Sequence, residues 1–229
     1  MYKPADMNVW QGRIDTEEDV PALRWHQKIQ CWNRDSNLNH NAALLGFACD
    51  EGVRRNNGRV GAYEGPRAIR SALANMAYLS ETRVFDAGDV FCDDENLEQA
   101  QTLLAQHISH ILAHDGFPLV LGGGHEMAWG SFQGIVQHLN DTDAGKNLGI
   151  INFDAHFDLR NPKTLPNSGT PFRQMTNWCQ ANGMPFHYEV FGINPTANTS
   201  ALFHFAQQHD VAWHTDLDCS LSNLHNLKA

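Results

Sequence analysis

No stretch of this 229-residue chain stays apolar for anything near the ~20 residues needed to cross a bilayer. The N-terminus, MYKPADMNVWQGR, also lacks the apolar core of a secretory signal. Paired cysteines are missing too. Cys31, Cys49, Cys92, Cys179 and Cys219 are scattered, odd in number and never spaced CxxC. That argues against a disulfide framework or a cysteine zinc site, and fits reduced thiols in a cytoplasm. Positive charge is scarce, with 16 Lys plus Arg against 26 Asp plus Glu and a formal net charge of −10. Phosphate backbones and anionic bilayers are bound by clustered cations, so neither nucleic acid nor membrane is expected as a partner. A small-molecule substrate, even an anionic one, needs only local positive groups. Homo-oligomer formation is left open.

What is present is a core. Hydrophobic residues make up 42% of the chain, including six Trp and twelve Phe, enough for one α/β domain. The expectation is a single domain over 1–229, with residues 1–40 as an extended N-terminal arm carrying a short helix around Val20–Trp32. After that arm, short apolar runs alternate with helical periodicity. Strands are predicted at Ala42–Cys49, Arg83–Phe85, Phe117–Leu121, Leu148–Phe153, Tyr188–Phe191 and Val211–Trp213, those at Phe117–Leu121 and Leu148–Phe153 being of buried type. Helices are predicted from Pro66, over 95–114, Met127–Leu139, Pro171–Ala181 and Ala201–His209. The segment EGVRRNNGRVGAYEG between them reads as a long loop. The helix over 95–114 is the clearest, because Leu97, Ala100, Leu104, Ile108 and Ile111 repeat at helical spacing and Gly116 follows as a stop. Strands alternating with helices imply a mainly parallel sheet covered on both faces, with chemistry at the carboxyl ends of strands.

Two motifs follow apolar runs in that way. In Leu119-Val-Leu-Gly-Gly-Gly-His125-Glu126 the glycines let the backbone turn off the strand end, so that His125 projects over the sheet edge. In Ile150-Ile-Asn-Phe-Asp154-Ala-His156-Phe-Asp158 the alternation of an extended chain would put Asp154, His156 and Asp158 on one side. Two carboxylates and an imidazole are costly to bury together unless something pairs with them, and a divalent cation does so. Twenty-nine residues separate Asp154 from His125, about one helix and one strand. Neighbouring parallel strands would therefore bring them together. Oxygen donors with imidazole suit Mn2+, and leave Fe2+, Co2+ or Zn2+ open.

GGGHE and NFDAHFDLR closely resemble the first two signature motifs of the arginase/agmatinase (ureohydrolase) family. GVRRNNGRVGAYEGPRAIR, DAGDV and SGTPFRQ resemble its other conserved loops, so the resemblance covers nearly the whole chain. With GGGHE in place of GGDH, and with DLR and SGTPFRQ, the chain looks most like the formimidoylglutamase branch. The resemblance implies an arginase-type three-layer α/β/α fold, two Mn2+ ions, and hydrolysis of N-formimidoyl-L-glutamate to L-glutamate and formamide by a hydroxide bridging the ions. It makes His125, Asp154, His156 and Asp158 the metal ligands, with Asp154 bridging, His125 and Asp158 completing one ion and His156 binding the other. Arg160 and Ser168 become candidates for holding the substrate's carboxylates, Arg160 because its fork matches a carboxylate bidentately.

The family's third motif, S/T-x-D-x-D-x-x-D-P, does not appear. The D-x-D near the chain end, His214-Thr-Asp216-Leu-Asp218, lies too near Asp154 and has the wrong flanks. The resemblance thus implies a domain incomplete at its C-terminus, the chain stopping as a further helix opens, with weak Mn2+ binding and little activity in this chain alone. Competing readings are a guanidino-compound hydrolase of agmatinase or guanidinobutyrase type, a two-metal phosphoesterase, and a non-catalytic remnant. Ser168, where agmatinases tend to have His, argues against the first; the reversed motif order argues against the second. His107, His110 and His114 share a helix flank without a carboxylate to join them. Arg54, Arg55, Arg59, Arg67 and Arg70 read as a solvated loop or an inter-subunit ion pair. Glu126 is expected to orient His125 or to favour a helix start.

Overall fold

The structure, a computed structural model, describes residues 1–17, 19–142, 147–162 and 164–223. The chain forms two compact units, 1–143 and 144–229.

In the first unit the strands are β1 (Tyr2–Lys3), β2 (Gln30–Cys31), β3 (Ala42–Ala48), β4 (Val84–Phe91) and β5 (Phe117–Leu121). The helices are α1 (Trp25–Lys28), α2 (Glu51–Arg55), α3 (Gly65–Ala74), α4 (Leu97–Ala113) and α5 (Met127–Asp141). The sheet runs β1-β4-β3-β5, with β2 also on β4. All pairings are parallel except that of β1. AALLGFA is apolar on both faces and is buried at every position, as a central parallel strand must be. Its side chains alternate between two cores. Ala43, Leu45 and Phe47 meet Leu97, Leu104, Ile108 and Ile111 of α4. Ala42 and Leu44 face Ala74 of α3 together with Trp10 and Ile29. Each fully buried Leu, Ile or Phe in these layers contributes about 1.5–3 kcal/mol of transfer free energy. Asn96 caps α4 by accepting the Gln99 N–H at 3.1 Å.

The second unit carries a parallel sheet of β6 (Gly149–Phe153), β7 (His187–Ile193) and β8 (Ala212–Thr215), with helices α6 (Pro171–Asn182) and α7 (Ser200–Gln208). Phe172 of α6 stacks on Tyr188 of β7 at 4.3 Å between ring centroids. Gly183, at φ +63°, ends α6 in the left-handed region where a side chain would be strained. Among the described residues no helix is long and apolar enough to cross a membrane.

Most expected elements are found within a few residues. The helix expected around Val20–Trp32 is confined to Trp25–Lys28, with Gln30–Cys31 a strand, and four further expectations differ. The N-terminal arm is not merely extended: β1 joins the sheet and Trp10 and Trp32 are buried. Residues expected as loop form α2, since EGVRR carries an i,i+4 pair between Glu51 and Arg55. The short strand expected at Arg83–Phe85 continues through DAGDV as β4. Finally, β5 and β6 are not fully buried. Phe117 is 62% exposed, Ile151 66% and Phe153 81%; among the described residues β5 is paired with β3 and β6 with β7. The helix expected to open at the chain end lies outside the described residues beyond a short turn at Leu221–Asn223.

Candidate metal centre

The first motif leaves β5 through Gly122–Gly124 and enters α5. Gly123 lies under the end of β3: a Cβ there would stand 2.0 Å from the Cys49 carbonyl oxygen and 2.6 Å from that of Phe47. The Gly124 N–H donates to the Cys49 carbonyl at 2.9 Å, and the His125 carbonyl accepts from Ala128 N–H at 3.0 Å. His125, half-buried, is thus held from both sides by backbone.

Glu126 acts on this turn through the loop after β3 rather than as a helix cap. It occupies the first position before α5, yet its carboxylate makes no cap. Instead Oε1 accepts the Gly52 N–H at 2.9 Å and the Cys49 thiol at 3.6 Å, while its carbonyl accepts from Gln101 Nε2 at 2.7 Å. It is 1% exposed, and burial pushes its pKa up. Glu126 therefore pins the turn that carries His125 to the loop after β3 and to α4.

In the second unit the chain leaves β6 at Phe153 and bends. The expected alternation fails after Asp154: residues 154–158 are irregular, and Asp158 adopts φ +47°. The bend nevertheless brings one carboxylate oxygen each of Asp154 and Asp158 within 4.8 Å. His156 does not join that pair. Its ring is half-exposed, with Nδ1 3.4 Å from Asp154 Oδ1, and the same oxygen accepts the His156 N–H at 2.9 Å. Phe157 and Leu159, fully buried, anchor the loop between the polar positions.

Three residues that sequence reasoning missed shape this loop. Asn198 Oδ1 accepts the Phe157 N–H at 3.1 Å, and its Nδ2 donates to the carbonyls of Ala155 at 2.8 Å and Asn194 at 2.9 Å. Tyr188 donates its hydroxyl to the Phe157 carbonyl at 3.2 Å. Asn194 returns the backbone, its N–H donating to Ala155 at 3.0 Å. The signal was present in NPTAN after β7, since Asn-Pro and a second Asn mark a turn rich in side-chain hydrogen bonds.

Arg160 and Ser168 come into neighbouring loops. The Arg160 N–H donates to the Gly169 carbonyl at 3.0 Å, and Asn167 and Thr170 lock the second loop through the Asn167 N–H to Thr170 Oγ1 at 3.0 Å and the Gly169 N–H to Asn167 Oδ1 at 2.9 Å. Asp218 accepts from the Thr215 N–H at 3.1 Å and hydroxyl at 2.7 Å, closing the turn after β8. His214 turns to Glu189 at 3.0 Å.

The other clusters are structural. His107 is buried and stacked on Tyr2, His110 contacts the Arg34 carbonyl, and His114 the His110 carbonyl. Three of the five arginines are not merely solvated, because protein acids meet them within the chain: Arg54 and Arg55 pair with Glu51, Arg55 with Glu98, and Arg70 with Asp86 and Asp89.

The residues present fit a divalent cation. Two carboxylate oxygens held this close repel one another unless positive charge stands between them, and their spacing is one a hard cation can bridge.

Comparison with known proteins agrees with this chemistry. The sequence pattern of the arginase family matches residues 40–228. The chain is 50% identical over 214 residues to a formimidoylglutamase of Aeromonas hydrophila, covering 93% of this chain and 67% of that protein. It is 52% identical over 202 residues to one of Aeromonas salmonicida, covering 88% and 63%. Among solved structures, Trypanosoma cruzi formiminoglutamase with Mn2+ superposes with a TM-score of 0.70 at 27% identity, covering 84% of this chain and 64% of that one. A formimidoylglutamase from Bacillus subtilis, 23% identical, shares the fold with a TM-score of 0.75, covering 93% and 66%. The chain spans about two thirds of the length of the relatives it matches. On the pattern it matches and the relatives it shares half its residues with, the chain belongs to the arginase family.

Proposed function

We propose that the protein hydrolyses the formimidoyl C–N bond of N-formimidoyl-L-glutamate, releasing L-glutamate and formamide. The observation that carries this is the Asp154–Asp158 loop, which presents two carboxylates within 4.8 Å at a strand end in a chain half-identical to a formimidoylglutamase. His125, Asp154, His156 and Asp158 would hold two Mn2+ ions. When bound, such a pair would acidify a water toward hydroxide and favour the tetrahedral adduct formed at the formimidoyl carbon.

The protein's own residues do the rest. Asn198 and Tyr188 fix the backbone from Ala155 to Phe157, so the donors need not be reorganised. Glu126 and Gly123 fix the turn beneath His125. Arg160 and Ser168, brought into adjacent loops by the Arg160–Gly169 hydrogen bond, would hold the glutamate carboxylates. The five unbridged cysteines support a cytoplasmic location.

The test is a product assay on the purified protein with Mn2+. N-formimidoyl-L-glutamate should yield formamide and glutamate in equal amounts, at the low rate expected of this chain alone, and Asp154→Asn or a chelator should abolish this. Urea from agmatine or guanidinobutyrate, with no formamide from the first substrate, would overturn the assignment.

A further inference from the structure

The first unit holds a cavity of about 360 Å3 between the N-terminal arm, the start of α3 and the ends of β3 and β4. That volume lies within the ~300–1,000 Å3 usual for small-molecule sites. Lys3 of β1 stands opposite Asp89 of β4 in the antiparallel ladder, so both side chains reach the same face. Among the described residues they form no ion pair. The Lys3 ammonium lies 4.4 Å from the centre of the Phe91 ring, over its face, and Asp89 Oδ1 accepts from Arg70 Nη1 at 2.6 Å instead. Gly46 makes room for that carboxylate, since a Cβ there would collide with Oδ1. Arg70 is itself buried, so Asp89 is a fixed acidic wall. Glu64, Arg67 and Arg70 follow at three-residue steps along one flank of α3 and the turn before it. Among the described residues, Asp89 Oδ2 and the side chains of Glu64 and Arg67 make no hydrogen bond or ion pair.

The cavity therefore holds opposite charges that do not satisfy one another. Its lining carries three cations, Lys3, Arg67 and Arg70, and three acids, Asp6, Glu64 and Asp89, and is neutral in sum. A ligand of one charge would strip water from both sets and compensate only one of them. A ligand with both charges compensates both. The rest of the lining is largely apolar, with Val9, Ala48 and Pro66 among it.

We propose that this cavity binds a zwitterionic α-amino acid with an uncharged side chain. Asp89 Oδ2 and Glu64 take the ligand's ammonium. Arg67 takes its carboxylate through the planar fork, with Lys3 adding positive charge. Val9, Ala48 and Pro66 receive its side chain. An acidic side chain would be set against Asp6 and Glu64, which excludes glutamate as the preferred ligand. The site shares no residue with the metal-ligand or substrate candidates, so it stands apart from the proposed hydrolysis.

Equilibrium dialysis of the purified protein against radiolabelled L-leucine tests this. The expected result is one molecule bound per chain, with a Kd below about 1 mM. Isocaproate, which lacks the ammonium, and isoamylamine, which lacks the carboxylate, should compete at least about tenfold more weakly, as should L-glutamate. Arg67 is exposed, so Arg67→Glu should fold normally by circular dichroism and weaken L-leucine binding by about tenfold or more. Glu64→Gln should weaken it less, and decides alone if Arg67→Glu does not fold. Asp154→Asn should leave the affinity unchanged. No binding of L-leucine up to about 10 mM would overturn the site. So would equal binding of either single-charge analogue, or an affinity indifferent to the Arg67 and Glu64 substitutions. Loss of binding in Asp154→Asn would move the ligand to the metal centre and overturn it too. Equal binding of L-glutamate would overturn the side-chain assignment.

Discussion

Arg70 grips Asp86 with both edges of its guanidinium, Nε to Oδ2 at 2.8 Å and Nη2 to Oδ1 at 2.9 Å, and neither side chain is more than 4% exposed. The remaining capacity is filled. Nη1 donates to Asp89 at 2.6 Å, the Trp10 indole donates to Asp86 Oδ2 at 2.8 Å, and the Gly88 N–H to Oδ1 at 3.0 Å. The network ties the N-terminal arm, α3 and β4 together. Removing one partner of a buried pair leaves the other charged and dry, so Arg70→Met should cost about 3–5 kcal/mol. Arg70→Lys keeps the charge but not the fork, and should cost about 2 kcal/mol. Urea midpoints at unchanged slope measure both, and a midpoint for Arg70→Met equal to that of the unaltered protein would refute the role.

The same network marks where sequence reading stops. DAGDV was recognisable as a strand end, but nothing local says that Asp86 and Asp89 face an arginine 16 and 19 residues earlier. Periodicity located β3, α4, β5, α5 and β6, because their apolar spacing is a local property. It also singled out His125, Asp154, His156 and Asp158 as candidates, because those sit directly after apolar runs. It missed what is set by distant partners: Glu126 reaching back to Gly52, Asn198 clamping the loop 41 residues upstream, and the bend at Asp158 that replaces alternation. It also misjudged β5 and β6, since an apolar strand reads as buried whether or not both its edges are paired in the structure.

His107 makes the first unit sensitive to acid. Its ring stacks on Tyr2 at 4.2 Å, and burial, with smaller contributions from Arg34 and His110, holds its pKa down at about 4 against an ordinary 6.5. The folded value lies below the unfolded one, so the fold favours the neutral ring. That contribution is complete above pH 6.5 and is lost as pH falls from there through about 4. The shift corresponds to roughly 3 kcal/mol at most. His107→Phe keeps the stack without the titration. Its urea midpoint should vary less between pH 6.5 and pH 4 than that of the unaltered protein, and parallel curves would remove His107 as the cause.

Gly123→Ala forces a methyl to within 2.0 Å of one backbone oxygen and 2.6 Å of another, where no side chain can rotate aside. The turn must shift, at a cost of about 3 kcal/mol, and His125 moves with it. Thermal unfolding should show the loss, and Mn2+ titration should show weaker binding. Gly149→Ala, whose Cβ meets nothing within 4 Å, is the matched control and should leave both unchanged. Equal behaviour of the two variants would mean that the approach of Gly123 to β3 does not position the turn.

Asn198 offers the sharpest separation of positioning from mere packing. Its amide is 7% exposed and satisfies the buried Phe157 N–H and the Ala155 carbonyl on either side of His156. Asn198→Ala leaves the Phe157 N–H without a partner and the Ala155 carbonyl with the Asn194 N–H alone, and should cost about 2 kcal/mol. Asn198→Asp restores the acceptor, but it sets a carboxylate where an amide nitrogen faced the carbonyls of Ala155 and Asn194. It should therefore not rescue. If the amide holds the Asp154–Asp158 loop in its ligand-ready bend, both variants will weaken Mn2+ binding about tenfold, the effect typical of partners behind metal ligands. Competition with a fluorescent chelator, well below the unfolding temperature, gives that affinity. Phe205→Leu, a core change in α7 that touches no loop donor, supplies a destabilised reference in which affinity should hold. Were Asn198→Ala to lose stability while binding Mn2+ as the reference does, the amide would support the fold without shaping the metal loop.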